Sequence, residues 1–242
     1  MKTLILCGGK GSRSYPFTEY FPKVMMPIAG TPILVHLMRI FAGQGFTDFV
    51  LAAGHRKEIL VDYFHGRFSE WKVDIVDTGE DADTAERLQR CAGHLNGPFL
   101  ATYGDGLGNV DLRELTRFHS GHGAVATVTT VALRCQYGTL IFDSAGRVSH
   151  FVEKPVIEDC CINAGFFVFN REIFSHIQGP NLESHVLPSL AARGQLFAYR
   201  HPGFWKSMDT SKDQQEMEAL YRAGDCPPWL LPAKTSGESH AA

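Results

Sequence analysis

The sequence predicts an α/β fold, a mostly parallel mixed sheet with helices on both faces, and three observations carry that prediction. Short apolar runs alternate with stretches of 3.6-residue periodicity from Lys2 to about Ala132. The chain has 242 residues, 44% hydrophobic and 20% charged, enough for a large core without disulfide or metal support. The first apolar run, Thr3-Leu4-Ile5-Leu6-Cys7, breaks into Gly8-Gly9-Lys10-Gly11-Ser12-Arg13. That turn suits the carboxyl edge of a parallel sheet, where such folds bind their ligands.

Each element has a local reason. Lys2–Cys7 is short and apolar, a buried strand. Pro32–Ala42 reads as a helix, with Thr31 as cap and Ile33, Leu34, Leu37, Met38, Ile40 and Phe41 on its apolar face. A strand over 48–53, a helix over 57–64 and a strand over 73–76 follow. A helix over 84–95 and a strand over 99–103 continue the alternation. Asp111, with Glu114 three residues on, should cap a helix over 112–119, leaving His119 and His122 solvated at its end. A strand over 124–132 closes this half. Beyond it, 139–142 and 147–153 flank Asp143-Ser144-Ala145-Gly146, a hairpin signal. A strand over 162–169, short helices near 171–177 and 184–192, and a strand near 196–200 come next. The last helix runs from Ser211 to about Arg222 behind Thr210.

This change of character predicts a single domain over 1–224, Rossmann-like, with a small β-rich annex in its second half. Residues 225–242, rich in Pro, Ser, Gly and Ala, read as a mobile tail. A net charge of −3 gives no basic field for nucleic acid or an anionic membrane. No apolar run approaches the ~20 residues of a membrane span. The six cysteines lack C-x-x-C spacing and are expected to be reduced, and no leader pattern precedes the first strand. A cytoplasmic location is the expectation.

The residues with chemistry point to phosphate. Three glycines let backbone N–H groups approach an anion closely, and Arg13 and Lys23 add charge nearby. The loop is neither a Walker A sequence nor a full dinucleotide fingerprint, since a third glycine is missing. Asp105, between Gly104 and Gly106, and Asp209, in Ser207-Met208-Asp209-Thr210, could together hold Mg²⁺ with phosphate oxygens and water. Each alone has an ordinary reading, a turn aspartate or a helix cap. Glu153-Lys154-Pro155 ends an apolar strand, and Gly138 and Asn163 are positions of the kind that line a sugar pocket.

Taken together, these motifs resemble the sugar-1-phosphate nucleotidyltransferase family, whose fold is GT-A-like. The resemblance runs from about Lys2 to Tyr221. It is carried by Gly8-Gly9-Lys10-Gly11-Ser12-Arg13, Pro22-Lys23 and Gly30-Thr31-Pro32-Ile33-Leu34. Val76-Asp77-Thr78-Gly79, Thr102-Tyr103-Gly104-Asp105-Gly106 and His201-Pro202-Gly203-Phe204-Trp205 through Met208-Asp209-Thr210 resemble its glucose-1-phosphate cytidylyltransferase branch. The resemblance implies a nucleotide half over about 1–132 and a sugar-phosphate half over about 133–224. It implies nucleotide contacts at Leu6, Cys7, Gly8, Gly9, Gly11, Ser12, Arg13, Thr78, Arg87 and Gly104. It implies catalytic roles for Arg13, Lys23 and Asp105, and Mg²⁺ at Asp105 and Asp209. Gly138, Glu153, Lys154 and Asn163 would hold the sugar phosphate. The partners implied are an NTP, CTP first, and a sugar-1-phosphate, with a homo-oligomer possible.

The pattern is not complete. Thr84-Ala85-Glu86-Arg87 stands where the cytidylyltransferase branch has T-G-G-R. Ser14 and Val24 replace a Leu and the second Pro of P-K-P, and the stretch between Phe64 and Val73 is short. GTP, UTP or dTTP with a heptose or another specialised sugar phosphate therefore stays open, as does a non-catalytic sensor of nucleotide or sugar phosphate. A glycosyltransferase is disfavoured, because the strand end reads Gly-Asp-Gly rather than D-x-D.

Overall fold

A computed structural model of the chain describes residues 1–230. In chain order its elements are β1 (Thr3–Leu6), α1 (Phe17–Tyr20), β2 (Pro27–Ile28), β3 (Thr31–Pro32) and α2 (Ile33–Ala42). Next come β4 (Asp48–Ala53), α3 (Lys57–Phe64), β5 (Lys72–Asp77), α4 (Thr84–Arg90), β6 (Phe99–Tyr103) and β7 (Gly106–Gly108). Then follow α5 (Leu112–His122), β8 (Ala126–Arg134), β9 (Thr139–Phe142), β10 (Val148–Val152) and β11 (Val156–Phe169). The described chain ends with α6 (Leu187–Ala192), β12 (Leu196–Arg200), β13 (Trp205–Ser207) and α7 (Ser211–Arg222).

Seven strands form one mixed sheet in the order β12-β8-β11-β6-β1-β4-β5. Neighbours are parallel except around β11, which runs antiparallel to both β6 and β8. The expected mostly parallel mixed sheet is therefore present. Its central strands are apolar on both faces, as helix-covered strands must be. Alternate residues feed two cores: Ile5, Phe49, Leu51, Phe166 and Val168 on one side, and Leu4, Val50, Ala52, Phe167 and Phe169 on the other. β9 and β10 form a separate hairpin, the β-rich annex, with Ile141, Phe142 and Phe151 mostly exposed.

Several local readings need correction. Thr31 does not cap α2: it pairs with Ile28 in a small hairpin, and the helix starts after Pro32. The turn between these strands places Ala29 and Gly30 at φ 49° and 75°, a two-residue hairpin turn that the helical periodicity beyond it masked. α4 stops at Arg90 and continues only as a short 3-10 turn. β11 begins six residues earlier than the apolar run suggested, because its exposed start still pairs with Arg134 and Leu133 of β8. His119 is not solvated. It is buried against Thr127, and its Nδ1 lies 2.9 Å from the Thr127 hydroxyl, to which His122 also bonds at 2.8 Å. α5 runs on to His122 so that both imidazoles reach that strand.

The tail expectation also shifts. Within residues 225–230, Trp229 does not stand off the domain: it is fully buried, with its ring centroid 5.7 Å from His36 and 6.2 Å from Tyr221. An indole of this size removes more apolar surface from water than the local Pro-rich composition signals. Residues 231–242 lie outside the described part. Among the described residues no helix is long and apolar enough to cross a membrane.

Trp229→Ala should lower the unfolding free energy by about 3–5 kcal/mol, the usual cost of removing a buried aromatic ring. Urea denaturation measures it, and a loss under 1 kcal/mol would show that the ring is not seated. Burial lowers the pKa of His36, His119 and His201. The unfolded chain then binds more protons near pH 6.5 than the folded one, so stability falls as pH drops through that value. The urea midpoint should decline between pH 7.5 and 5.5; a flat midpoint over that window contradicts the burial.

Candidate active site

At the carboxyl edge of the sheet, β1 and β6 end side by side and open a cavity of about 390 Å³. Leu6, Gly8, Gly9 and Arg13 line it from the glycine loop, and Tyr103 and Asp105 from the end of β6. Asp83, Thr84 and Arg87 approach from α4, with Asn163 and Glu183 opposite. A second groove, along α5 and β12, is lined mainly by Phe118, His122, Phe197 and Tyr199 and brings no comparable set of charges together.

The topology explains how distant acids meet. β7 follows Asp105 directly and pairs antiparallel with β13, placing Ser207 opposite Gly106. The Met208 N–H donates to the Asp105 carbonyl at 2.8 Å, so Asp209 stands beside Asp105. Asp209 is not the helix cap. Thr210 caps α7, and the Asp213 carboxylate accepts from the N–H groups of Asp209 and Thr210. Ser14 Oγ donates to the Asp209 carbonyl at 2.9 Å and ties the glycine loop to this turn.

Lys23 enters between the two acids from a 3-10 turn held by Pro22. Its Nζ lies 2.7 Å from Asp105 Oδ2 and 2.9 Å from Asp209 Oδ1, and its side chain is only 11% exposed. Arg13 Nη2 reaches the same Asp209 oxygen at 3.0 Å. Two cations and two carboxylates thus balance in a partly buried cluster. Removing Lys23, the most buried member, would leave two carboxylates facing each other without it.

The glycine loop is shaped for close approach. Among the described residues, the N–H groups of Gly8 through Arg13 have no protein acceptor, which leaves a row of donors free for an anion. Gly11 sits at φ 60°, and a Cβ there would come 2.8 Å from Lys23 Cβ. A Cβ on Gly8 would fall 2.0 Å from Arg87 Nη1. The Arg87 guanidinium fills that space from below. It donates to Thr78 Oγ1 at 2.7 Å, the Gly79 carbonyl at 2.8 Å and the Glu80 carbonyl at 3.1 Å. Burial lowers its pKa from the ordinary arginine value, and these acceptors satisfy a guanidinium that stays charged.

Other expected nucleotide contacts turn inward. Thr78 is fully buried and its hydroxyl donates to the Ala53 carbonyl at 2.6 Å, so that side chain cannot reach a ligand. Cys7 is buried, and that burial pushes its thiol up to about 12; only its backbone borders the loop. Ser12 is exposed, and Gly104 packs against Val24 behind Asp105.

The far end of the cavity is a hydroxyl and carboxylate network. Tyr103 donates to Glu183 Oε1, Asn163 Nδ2 donates to the Tyr103 oxygen at 3.2 Å, and Thr84 Oγ1 donates to Glu183 Oε2 at 2.7 Å. Burial first, then Glu183, pushes the Tyr103 phenol above its usual range, which keeps it a donor. Sequence reasoning picked Asn163 but missed Glu183 and Thr84. Glu183 lies in a π-helical turn that no motif marks. The Ala85-Glu86 departure has a structural reason: Glu86 closes a capping box with Asp83, and the N–H groups of Ala85 and Glu86 donate to the Pro180 carbonyl. Gly138, Glu153 and Lys154 are not among the cavity-lining residues. They flank the β9–β10 hairpin; Glu153 and Lys154 are exposed, and Lys154 holds φ 48°, a costly backbone state for a residue before proline.

Asp105 and Asp209 fit a hard divalent cation. Both point their oxygens at one spot, which the Lys23 ammonium occupies. No group of three or more His, Cys, Asp and Glu suited to a metal forms among the described residues. A two-carboxylate site suits an ion that keeps water and phosphate oxygens as its other ligands.

Comparison with known proteins places the chain in a family. The family model described as "Nucleotidyl transferase" matches residues 2–210. A glucose-1-phosphate cytidylyltransferase of Salmonella typhi is 36% identical over 94% of this chain and 98% of its own length. A mannose-1-phosphate guanyltransferase of Hypocrea jecorina is 32% identical over 91% of this chain and 64% of its own. Among solved structures, UDP-glucose pyrophosphorylase complexed with UDP-glucose superposes with a TM-score of 0.72 at 19% identity, covering 92% of this chain and 98% of that one. With a family model spanning most of its length and a sheet edge arranged as described, the chain belongs to the nucleotidyl transferase family.

Proposed function

We propose that the chain transfers a nucleotidyl group from an NTP, CTP first, to a sugar-1-phosphate, giving an NDP-sugar and pyrophosphate. The convergence of Arg13, Lys23, Asp105 and Asp209 beside a loop of free N–H groups is the observation that carries this reading. A phosphate oxygen of the sugar-1-phosphate attacks the α-phosphorus. The bond from that phosphorus to the bridging oxygen breaks, and the electron pair leaves with pyrophosphate. The nucleophile is already an anion, so no strong base is required. Catalysis then rests on alignment and on charge neutralisation.

In this reading the backbone of Leu6, Cys7, Gly8, Gly9, Gly11 and Ser12 holds the nucleotide, with Gly104 letting Val24 pack closely behind Asp105. Arg13 and Lys23 face the phosphates. Arg87 and Thr78 act from beneath by fixing the floor under Gly8. Asp105 and Asp209 would hold Mg²⁺, which would offset charge on the phosphate oxygens. Lys23 would offer its ammonium to the reacting phosphate. Asn163, with Gly138, Glu153 and Lys154 at the hairpin, holds the sugar phosphate; the left-handed backbone of Lys154 supports a functional position there. CTP leads because a relative named as a cytidylyltransferase matches nearly the whole chain; a guanyltransferase relative puts GTP second.

Pyrophosphate release with Mg²⁺ tests the reaction, crossing CTP, GTP, UTP, dTTP and ATP with glucose-1-phosphate, mannose-1-phosphate and a heptose-1-phosphate. CTP with glucose-1-phosphate should give the highest rate, and silence across the whole panel rejects nucleotidyl transfer. Asp105→Ala should lower kcat/KM by about 100-fold or more with an unchanged circular dichroism spectrum. Near-normal turnover would remove Asp105 from the site.

A further inference from the structure

One cation of the glycine loop has no part in the cluster described above. Gly9 and Ala82 both line the cavity, Gly9 from the glycine loop and Ala82 from the loop between β5 and α4. Immediately next to them in sequence stand Lys10 and Asp81, and Lys10 Nζ lies 2.7 Å from Asp81 Oδ1. This ion pair joins the two loops across the cavity mouth. Both side chains are well exposed, 57% and 89%, whereas Lys23 is almost covered. An ion pair as wet as this one holds weakly, about 0–1 kcal/mol. The Glu80 carbonyl, beside Asp81, accepts from Arg87 Nη2 at 3.1 Å, so the acidic loop keeps another anchor when Lys10 leaves it.

The loop carrying Lys10 offers free N–H donors and the cations Lys10 and Arg13, and a triphosphate chain carries several negative charges. At similar distance its attraction for an ammonium exceeds that of one solvated carboxylate. The flexible lysine stem can swing without moving the backbone.

We propose that Lys10 is a positioning residue for the outer phosphates of the nucleotide, held by Asp81 before a triphosphate binds and transferred from it to the β- and γ-phosphates on binding. This rests on the nucleotidyl-transfer reading and adds a third cation to Arg13 and Lys23.

The test breaks the pair from each side. Full-length Lys10→Met and Asp81→Asn are assayed for pyrophosphate release with Mg²⁺. The substrates are whichever of the five nucleotides and three sugar phosphates above the unmodified chain turns over fastest. Lys10→Met should raise the KM for the nucleotide about tenfold, ~1.4 kcal/mol, and leave the KM for the sugar phosphate unchanged. Asp81→Asn should lower the nucleotide KM about two- to threefold, the worth of a solvated ion pair. A merely structural clasp would move both variants in the same direction and shift their urea midpoints together, and that result overturns the proposal. So does a nucleotide KM unchanged in Lys10→Met. Activity in the unmodified chain with no effect of Lys10→Met removes only this role, whereas an inactive unmodified chain removes the nucleotidyl-transfer reading and this role with it.

Discussion

A lysine ammonium held between two carboxylates is the constraint around which the rest of this molecule is arranged. Lys23 is nearly buried, and a buried ammonium is tolerated only where anions lie against it. Asp105 comes from the end of a central strand and Asp209 from the turn before the last helix. Keeping both within 3 Å of one nitrogen requires β7 and β13 to pair in a fixed register, and it requires Ser14 to pin the glycine loop to the Asp209 turn. The cost of separating these charges therefore ties the first and last parts of the domain together. It also makes the cluster responsive. A divalent cation competes with Lys23 for the same oxygens, and a phosphate competes with the aspartates for Lys23, so ligands that bring both signs of charge can rearrange it without leaving any member unpaired.

Much of the fold was legible because its signals are local. The central strands are short apolar runs, and their burial on both faces removes the ambiguity of a half-exposed strand. The caps at Asp111 and Thr210 are side-chain hydrogen bonds that a few adjacent residues encode. What escaped was non-local. Thr31 has the chemistry of a cap, yet pairing with Ile28 drew it into a hairpin. Nothing in the solvent-exposed start of β11 indicates a strand until β8 is alongside. Trp229 sits in a Pro-rich stretch whose composition reads as loose chain, and only the niche formed by His36 and Tyr221 gives the indole somewhere to go.

The site divides the same way. Arg13, Lys23, Asp105 and Asp209 were visible because glycines, prolines and isolated charges mark strand ends, and the sheet edge then gathers them. Thr78 and Arg87 were visible as motif residues, but their geometry makes them supports. The Arg87 guanidinium holds three successive residues of the loop, Thr78 to Glu80, and fills the space that Gly8 and Gly54 leave open. Glu183 was invisible, since its place beside Tyr103 and Thr84 depends on a π-helical turn reaching back across the cavity. Residues that define a pocket through their own loop can be read from sequence; those that close it from elsewhere cannot.

The pairing of Lys23 with Asp209 spans 186 residues. At a synthesis rate of ~5–20 residues per second, the ribosome adds the second partner roughly 9–37 s after the first. Through that interval the amino-terminal strands can assemble while the lysine has at most one of its two anions. The nascent chain thus holds a fold in preparation rather than a working centre, and a polypeptide cut short before the last turn lacks one wall of the centre altogether. Synthesis of the turn before α7 is itself the event that brings the second carboxylate to Lys23.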